Sequence, residues 1–195
     1  MSQINMDAVV DISDVVLETD RLVLRGWEKE DLNDFYEYAK VDGVGQMAGW
    51  VPHESIEKSE MILNLFINEK KTFGLVYKEN NKVIGSLGLE SSLRSELSEE
   101  FLALKGREVG YVLSKDYWGR GLMPEAVNAV IRYCFEIEQY DFLTCGHFNR
   151  NHQSQRVIEK CGFSYLINTK FSTRMNTVEE GKLYVLMNKK SINKY

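Results

Sequence analysis

Apolar positions recur along this chain of 195 residues with two periods, and the points where one gives way to the other mark its elements. In RLVLRGW, Leu22 and Leu24 alternate with Arg21, Val23 and Arg25, which is the period of a strand. EDLNDFYEYAK sets Leu32, Phe35, Tyr36 and Ala39 on one helical face. SIEKSEMILNLFINEK predicts a second helix, with Ser55 as its N-cap and Ile62, Leu65 and Phe66 facing inward. TFGLVYKENNKVIGSLGLE predicts two strands around the turn Glu79-Asn80-Asn81. Residues 91–107 are polar and then weakly helical around Phe101, Leu102 and Leu104. Without a clear core face, they read as a long surface insertion. A strand over EVGYVL follows, then a helix spacing Val127, Val130, Ile131 and Cys134 up to about Glu138, then a strand over DFLTCGHF. NHQSQRVIEKCGF predicts a helix capped by Asn151, with Val157, Ile158 and Cys161 inward. Gly162 takes the C′ position and Phe163 the contact after it. SYLINTKF and KLYVLMN close the chain as strands.

The resulting order, β-α-α-β-β-β-α-β-α-β-β, predicts an α/β (α+β) protein with a mixed sheet and helices on its faces, and not the regular alternation of a Rossmann domain. Residues 1–16 read as an N-terminal arm and 17–190 as one domain, a size that suits this length. Hydrophobic residues at 44% are enough for a real core. A formal net charge of −5 argues against a general nucleic-acid binder and suits a cationic partner. Cys134, Cys145 and Cys161 have no paired spacing, which fits a reducing cytoplasm better than a disulfide framework. The N-terminal residues carry Asp7, Asp11 and Asp14 and lack the basic-then-apolar pattern of a signal peptide. No apolar run approaches the ~20 residues of a membrane helix. No membrane or nucleic-acid partner is expected.

The segment EVGYVLSKDYWGRGLMPEA carries the most chemistry. A strand runs into a turn holding Gly119 and Gly121, and the turn runs directly into a helix with Pro124 and Glu125 in its first turn. Glycine permits positive φ and close backbone approach, and proline is tolerated in a first helical turn. The free N–H groups of such a turn form a site for an anion, phosphate above all. The pattern alone is equally satisfied by a plain connection whose glycines serve only the turn.

Three segments together resemble the GNAT superfamily of acyl-CoA-dependent N-acetyltransferases, over about Glu18 to Asn188. The family motif Q/R-x-x-G-x-G/A reads here Trp118-Gly119-Arg120-Gly121-Leu122-Met123. Gly121 fits strictly, while Trp118 replaces Gln or Arg and Met123 replaces the small residue. The form YWGRG…EA, the opening LETDRLVLRGW and the later NHQSQRVIEKCGF are similar to the branch of ribosomal-protein alanine acetyltransferases (RimJ/RimL-like). The resemblance implies a mostly antiparallel central sheet with splayed strands. It also implies acetyl-CoA as co-substrate, an amine as acceptor (a protein N-terminus or a small molecule) and direct transfer in a ternary complex. The loop amides of Trp118, Gly119, Arg120, Gly121, Leu122 and Met123 would then bind the pyrophosphate. Tyr111, Val112 and Leu113 would lie along the pantetheine arm, with the Tyr111 ring as packing.

The same resemblance makes Glu108 a candidate general base and a backbone N–H near Val112 or Leu113 the oxyanion donor. It places Asn151 at the pantetheine and Ser154 near the sulfur, and Trp50 and His53 in the acceptor pocket. Each of these also has a plain structural account: a strand-end carboxylate, a helix cap, a core tryptophan, an exposed histidine. The tyrosine acid that some relatives carry on this helix has no counterpart, since Gln155, Arg156 and Val157 follow. A non-catalytic CoA-binding or peptide-binding module of the same fold is therefore the rival reading. His53, His147 and His152 lack metal-ligand spacing, and no GxxxxGK[ST] loop is present.

Overall fold

The computed structural model describes residues 8–92, 97–101 and 103–192. Its framework is an eight-stranded sheet in the order β1-β2-β3-β4-β5-β6-β8-β7. The strands are β1 (Leu17–Glu18), β2 (Leu22–Arg25), β3 (Thr72–Tyr77), β4 (Lys82–Glu90), β5 (Gly106–Leu113), β6 (Phe142–Phe148), β7 (Ser164–Ser172) and β8 (Val178–Met187). Helices α1 (Leu32–Ala39) and α2 (Ile56–Glu69) connect β2 to β3. Helix α3 (Leu122–Arg132) links β5 to β6, α4 (His152–Lys160) links β6 to β7, and a short α5 (Lys189–Ile192) follows β8. Every strand pair is antiparallel except β5 with β6.

Strand alternation divides the core between the two faces of the sheet. On one face Leu22, Leu24, Phe73, Leu75, Leu87, Leu89 and Val109 pack under Leu122, Ala126, Val127 and Val130 of α3 and Ile158 of α4. On the other, Val76 and Val83 meet Phe35, Tyr38 and Ala39 of α1 and Leu63 of α2, with Trp27 beside them. Ser59 and Leu63 are the buried positions of α2, with Ile62 and Phe66 packed beside them as read from the sequence. Leu65, also read as inward, is exposed, because the inward face centres on Ser59, Ile62, Leu63 and Phe66 and leaves Leu65 to its side. Ser55 caps the helix as expected, its hydroxyl accepting from the Lys58 amide.

Three further departures from the sequence reading have local causes. Residues 91–107 are not a surface insertion throughout. Gly106 and Arg107 already belong to β5, and Leu97 and Phe101 are buried against Phe142 and Leu183 as a small third core. Leu102 lies outside the described residues. The helix after the glycine loop does not run regularly to Glu138. It widens over Tyr133–Ile137, where the Glu138 amide bonds back to the Tyr133 carbonyl at 3.1 Å. Asn188 braces this wide turn by donating to the carbonyls of Phe135 and Tyr140. Finally, Ala8 and Ile12, within the expected arm, are buried in the main core, and Arg107 donates to the Ala8 carbonyl.

The functional consequence lies between β5 and β6. Their parallel ladder holds only three residue pairs, Gly106 with Phe142, Arg107 with Leu143 and Glu108 with Thr144. Beyond these, Val109–Leu113 pairs with β4 alone, and Cys145–Phe148 pairs with β8 alone. The sheet is therefore split from its middle outward.

Candidate active site

A cavity of about 780 Å³ fills the split and continues to both faces of the sheet. β5 forms one wall with Glu108, Gly110, Tyr111 and Val112. β6 and the start of α4 form the other with Gly146, His147, Asn151 and Ser154. Alternate main-chain groups of a strand point to opposite sides, so half of those in Val109–Leu113 face the gap left by β6.

At the open end of the split stands the glycine loop. Gly119 has φ 76° and Gly121 φ 75°, both in the left-handed region that opposes a side chain. A Cβ on Gly119 would meet nothing within 4 Å, so its glycine answers the backbone conformation and not crowding. Gly121 is the N-cap of α3, whose first-turn amides have no intrahelical acceptor. Trp118, which departs from the family motif, staples the loop to β5 by donating its indole N–H to the Leu113 carbonyl at 2.8 Å. Leu122 and Met123 bury their side chains in the core, so only their backbone is offered to a ligand. This explains why a methionine is tolerated where the motif has a small residue. Arg120 is not on the cavity wall; its guanidinium lies over the Tyr117 ring, 5.1 Å from the centroid.

The loop is clamped from behind by residues far away in sequence. Glu125 accepts from the Thr19 hydroxyl at 2.6 Å, from the Arg21 amide at 2.9 Å and from Arg21 Nε at 2.8 Å. Arg21 also donates to the Arg120 carbonyl. Burial would raise the Glu125 pKa, but the bonds from Thr19 and Arg21 outweigh it and hold the carboxyl below its ordinary value.

Across the split, Asn151 works at both ends of its amide. Its Oδ1 accepts from the Ser154 amide at 3.0 Å, the N-cap expected from the sequence, while Nδ2 donates to the Met47 carbonyl at 3.1 Å. Ser154 Oγ lies 2.9 Å from the Tyr111 hydroxyl. Burial pushes the Tyr111 phenol well above its ordinary pKa, so it keeps its proton. The sequence places Tyr111 along the pantetheine arm with its ring as packing; the bond of its hydroxyl to Ser154 is not legible there, because a contact over 43 residues leaves no local signal.

The face toward α1 and α2 has a different chemistry. Glu108 and Glu90 are directly opposed in the β4–β5 pair, and both line the cavity with Thr72 and Ser86. Trp50 lines it too, its indole filling the space over Gly45. His53 does not: it is 8% exposed, sits between Phe35 and Trp50, and bonds Ser59 Oγ through Nδ1 at 2.7 Å. Glu90 was missed in the sequence because a polar residue ending a strand reads as a solvated terminus. Arg156 and Lys160 of α4 line the opposite region of the cavity, and Arg174, whose amide bonds the Gly49 carbonyl, lines it as well.

Among the described residues no three His, Cys, Asp or Glu side chains gather as a metal site, and no helix is long and apolar enough to cross a membrane. Residues 21–164 match the family described as acetyltransferase (GNAT) domain. The chain is 28% identical over 155 residues to the uncharacterised N-acetyltransferase YoaA of Bacillus subtilis, covering 76% of this chain and 82% of that one. Its fold matches an acetyltransferase (GNAT family) of Bacillus anthracis at a TM-score of 0.77 and 19% identity, over 89% of this chain and 99% of the other. A ribosomal-protein-S5-alanine acetyltransferase of Vibrio fischeri matches at a TM-score of 0.69 and 23% identity, over 90% and 98%.

Proposed function

The chain belongs to the GNAT acetyltransferase family, and on that premise we propose that it joins acetyl-CoA and a primary amine in the β5–β6 split for direct transfer of the acetyl group. The observation that carries this reading is the split itself. It is a three-pair ladder opening into a cavity, with a glycine-shaped helix N-terminus at its mouth. These residues fit the co-substrate. Positive-φ glycines leave the loop amides open to a pyrophosphate, the helix dipole favours its charge, and unpaired strand edge matches an amide-bearing arm. Arg156 and Lys160 add cations on the same side.

Acetyl-CoA supplies the activated acyl group. The chain's residues do the rest. Glu108, where the split begins, takes the proton that the acceptor ammonium must lose before it can attack as the neutral amine. A backbone N–H near Val112 or Leu113 holds the negative charge that develops on the acyl oxygen. Ser154 donates to the departing sulfur, and the Tyr111 hydroxyl, bonded to Ser154 Oγ, stands behind it as the next proton source. This arrangement supplies a hydroxyl pair where α4 lacks the tyrosine acid. Trp50 and the α1–α2 face take the acceptor.

Free-thiol release from acetyl-CoA, scored over a panel of small amines and peptide N-termini, tests the reading. Turnover with at least one amine is the expected result. Coenzyme A binding without any thiol release would favour the non-catalytic module.

A further inference from the structure

The acceptor end of the cavity has a corner that the transfer chemistry does not use. Thr72 opens β3 and is 4% exposed, yet its hydroxyl has no hydrogen-bond partner among the described residues. A buried hydroxyl left unpaired is costly, so a ligand that pairs it is favoured there. Next to it, Glu90 divides its two oxygens. Oε2 is held by Lys71 at 2.8 Å, and Lys71 is itself shared with Glu69 at 3.1 Å. Oε1 turns inward over Gly88: a Cβ built there would lie 2.9 Å from Glu90 Oε1 and 3.3 Å from Thr72 Oγ1. Gly110, on the neighbouring strand, leaves the same corner open, since a Cβ there would touch only Glu90 Cγ at 4.0 Å. Two glycines thus hollow out a cradle whose rim is a carboxylate oxygen and a hydroxyl oxygen.

We propose that this cradle is a second cation subsite and that the acceptor is an aliphatic diamine. One nitrogen reacts beside Glu108 while the other, as an ammonium, docks between Glu90 and Thr72. An ammonium brings three donors and no acceptor, which matches a rim of acceptor oxygens. The lone pairs of the Thr72 hydroxyl then accept from the ligand. A peptide N-terminus would instead bring a carbonyl into a corner whose fixed charge is a carboxylate. Glu90 and Glu108 are cross-strand partners, with Cβ atoms about 5 Å apart, a separation that a short methylene chain spans. Trp50 and Phe66 line the cavity beside that path as apolar surface for the methylenes. Lys71 positions the Glu90 carboxylate and does not fill the cradle, because it binds the other oxygen.

The inference rests on the acetyl-transfer reading, and its test separates the two. Butane-1,4-diamine and butylamine are compared in thiol release, and calorimetry measures binding of the diamine to the coenzyme A complex, for the wild type, Glu90→Gln and Thr72→Val. The diamine should be preferred by roughly tenfold to a hundredfold, the worth of one hydrogen bond to a charged group. Glu90→Gln should remove most of that preference through KM, with a larger loss for the diamine than for butylamine, and Thr72→Val should do so more weakly. Equal use of the two amines by the wild type would overturn the proposal, as would equal losses for both amines in Glu90→Gln. If no amine releases thiol, acetyl transfer fails while calorimetry still decides the subsite. Weaker diamine binding by Glu90→Gln supports it, and no diamine binding by the wild type sinks it. Melting curves check that each variant is folded, and Thr72→Val carries the test if Glu90→Gln is not.

Discussion

A single hydrogen can be followed at Gly121. With φ at 75°, any Cβ forces a left-handed conformation that costs about 1–2 kcal/mol per residue. Gly121→Val should lower the melting temperature modestly but abolish the stabilisation by coenzyme A. For the wild type that gain is roughly 2.7 kcal/mol at a ligand concentration ~100-fold above the dissociation constant. A folded variant with an undiminished ligand shift would refute the loop assignment. Glu108→Gln keeps the shape of the proposed base and removes its basicity. The expected fall in kcat/KM at neutral pH is ~100- to 10,000-fold, with partial recovery as pH rises and the amine deprotonates unaided. A flat, near wild-type profile would move the base elsewhere.

His53 gives a pH effect on stability rather than on turnover. Burial, with Lys58 nearby, lowers its pKa from the ordinary 6.5, so the native state holds it neutral. Below about pH 6.5 the unfolded chain binds the proton more readily. The stability contribution of His53 is therefore complete above that pH and is lost as pH falls toward the native pKa. Denaturant midpoints between pH 7.5 and 5 should decline for the wild type and less steeply for His53→Gln; equal slopes would remove His53 from the account. The residue was legible in sequence only as a candidate for the acceptor pocket. Its Ser59 partner lies six residues on, in α2, and it takes the packing of α1 against α2 to bury both.

Among the elements, those governed by local signals were readable. Asn151 and Ser55 cap their helices because a side-chain oxygen meets an amide three residues on, and Gly162 ends α4 at φ 85°. The insertion of β8 between β6 and β7 was not, since strand order rests on pairings that no short window contains. The register that opposes Glu90 to Glu108 belongs to the same class. So does the clamp on α3, which joins a strand turn to a helix start 104 residues away. That clamp yields a prediction. Glu125→Gln should destabilise the fold by about 1–3 kcal/mol, as expected for bonds to a charged group, and should weaken coenzyme A binding although Glu125 is not itself on the cavity wall. Loss of stability with unchanged affinity would make the clamp merely structural.

Across the whole molecule, the loop from Val44 to Trp50 belongs to the α1 side yet bonds to the other half of the sheet. Met47 accepts from Asn151, Gln46 from Arg150, and Gly49 from the Arg174 amide. The proposed acceptor wall and the helix proposed to meet the cofactor are thus tied together. Asn151→Ser keeps a capping oxygen and removes the amide that reaches Met47. Its melting temperature should stay near the wild type while acceptor KM rises; a drop in stability of the size of a lost cap, about 1 kcal/mol, with kinetics intact would contradict this coupling.

The three-pair ladder between β5 and β6 can also be viewed as the spine of a book. Were the leaf carrying β1–β5 and the leaf carrying β6–β8 to turn about it, displacement would grow from Glu108 and Thr144 toward Leu113 and Phe148, at the fore-edge. The bonds from Asn151, Arg150 and Arg174 are clasps across that edge. A long, thin product can leave by unfastening the clasps and turning the leaves a little, with the spine unbroken. In that case the pace of turnover would follow how often the clasps open, and residues that never touch the acyl group would tune it.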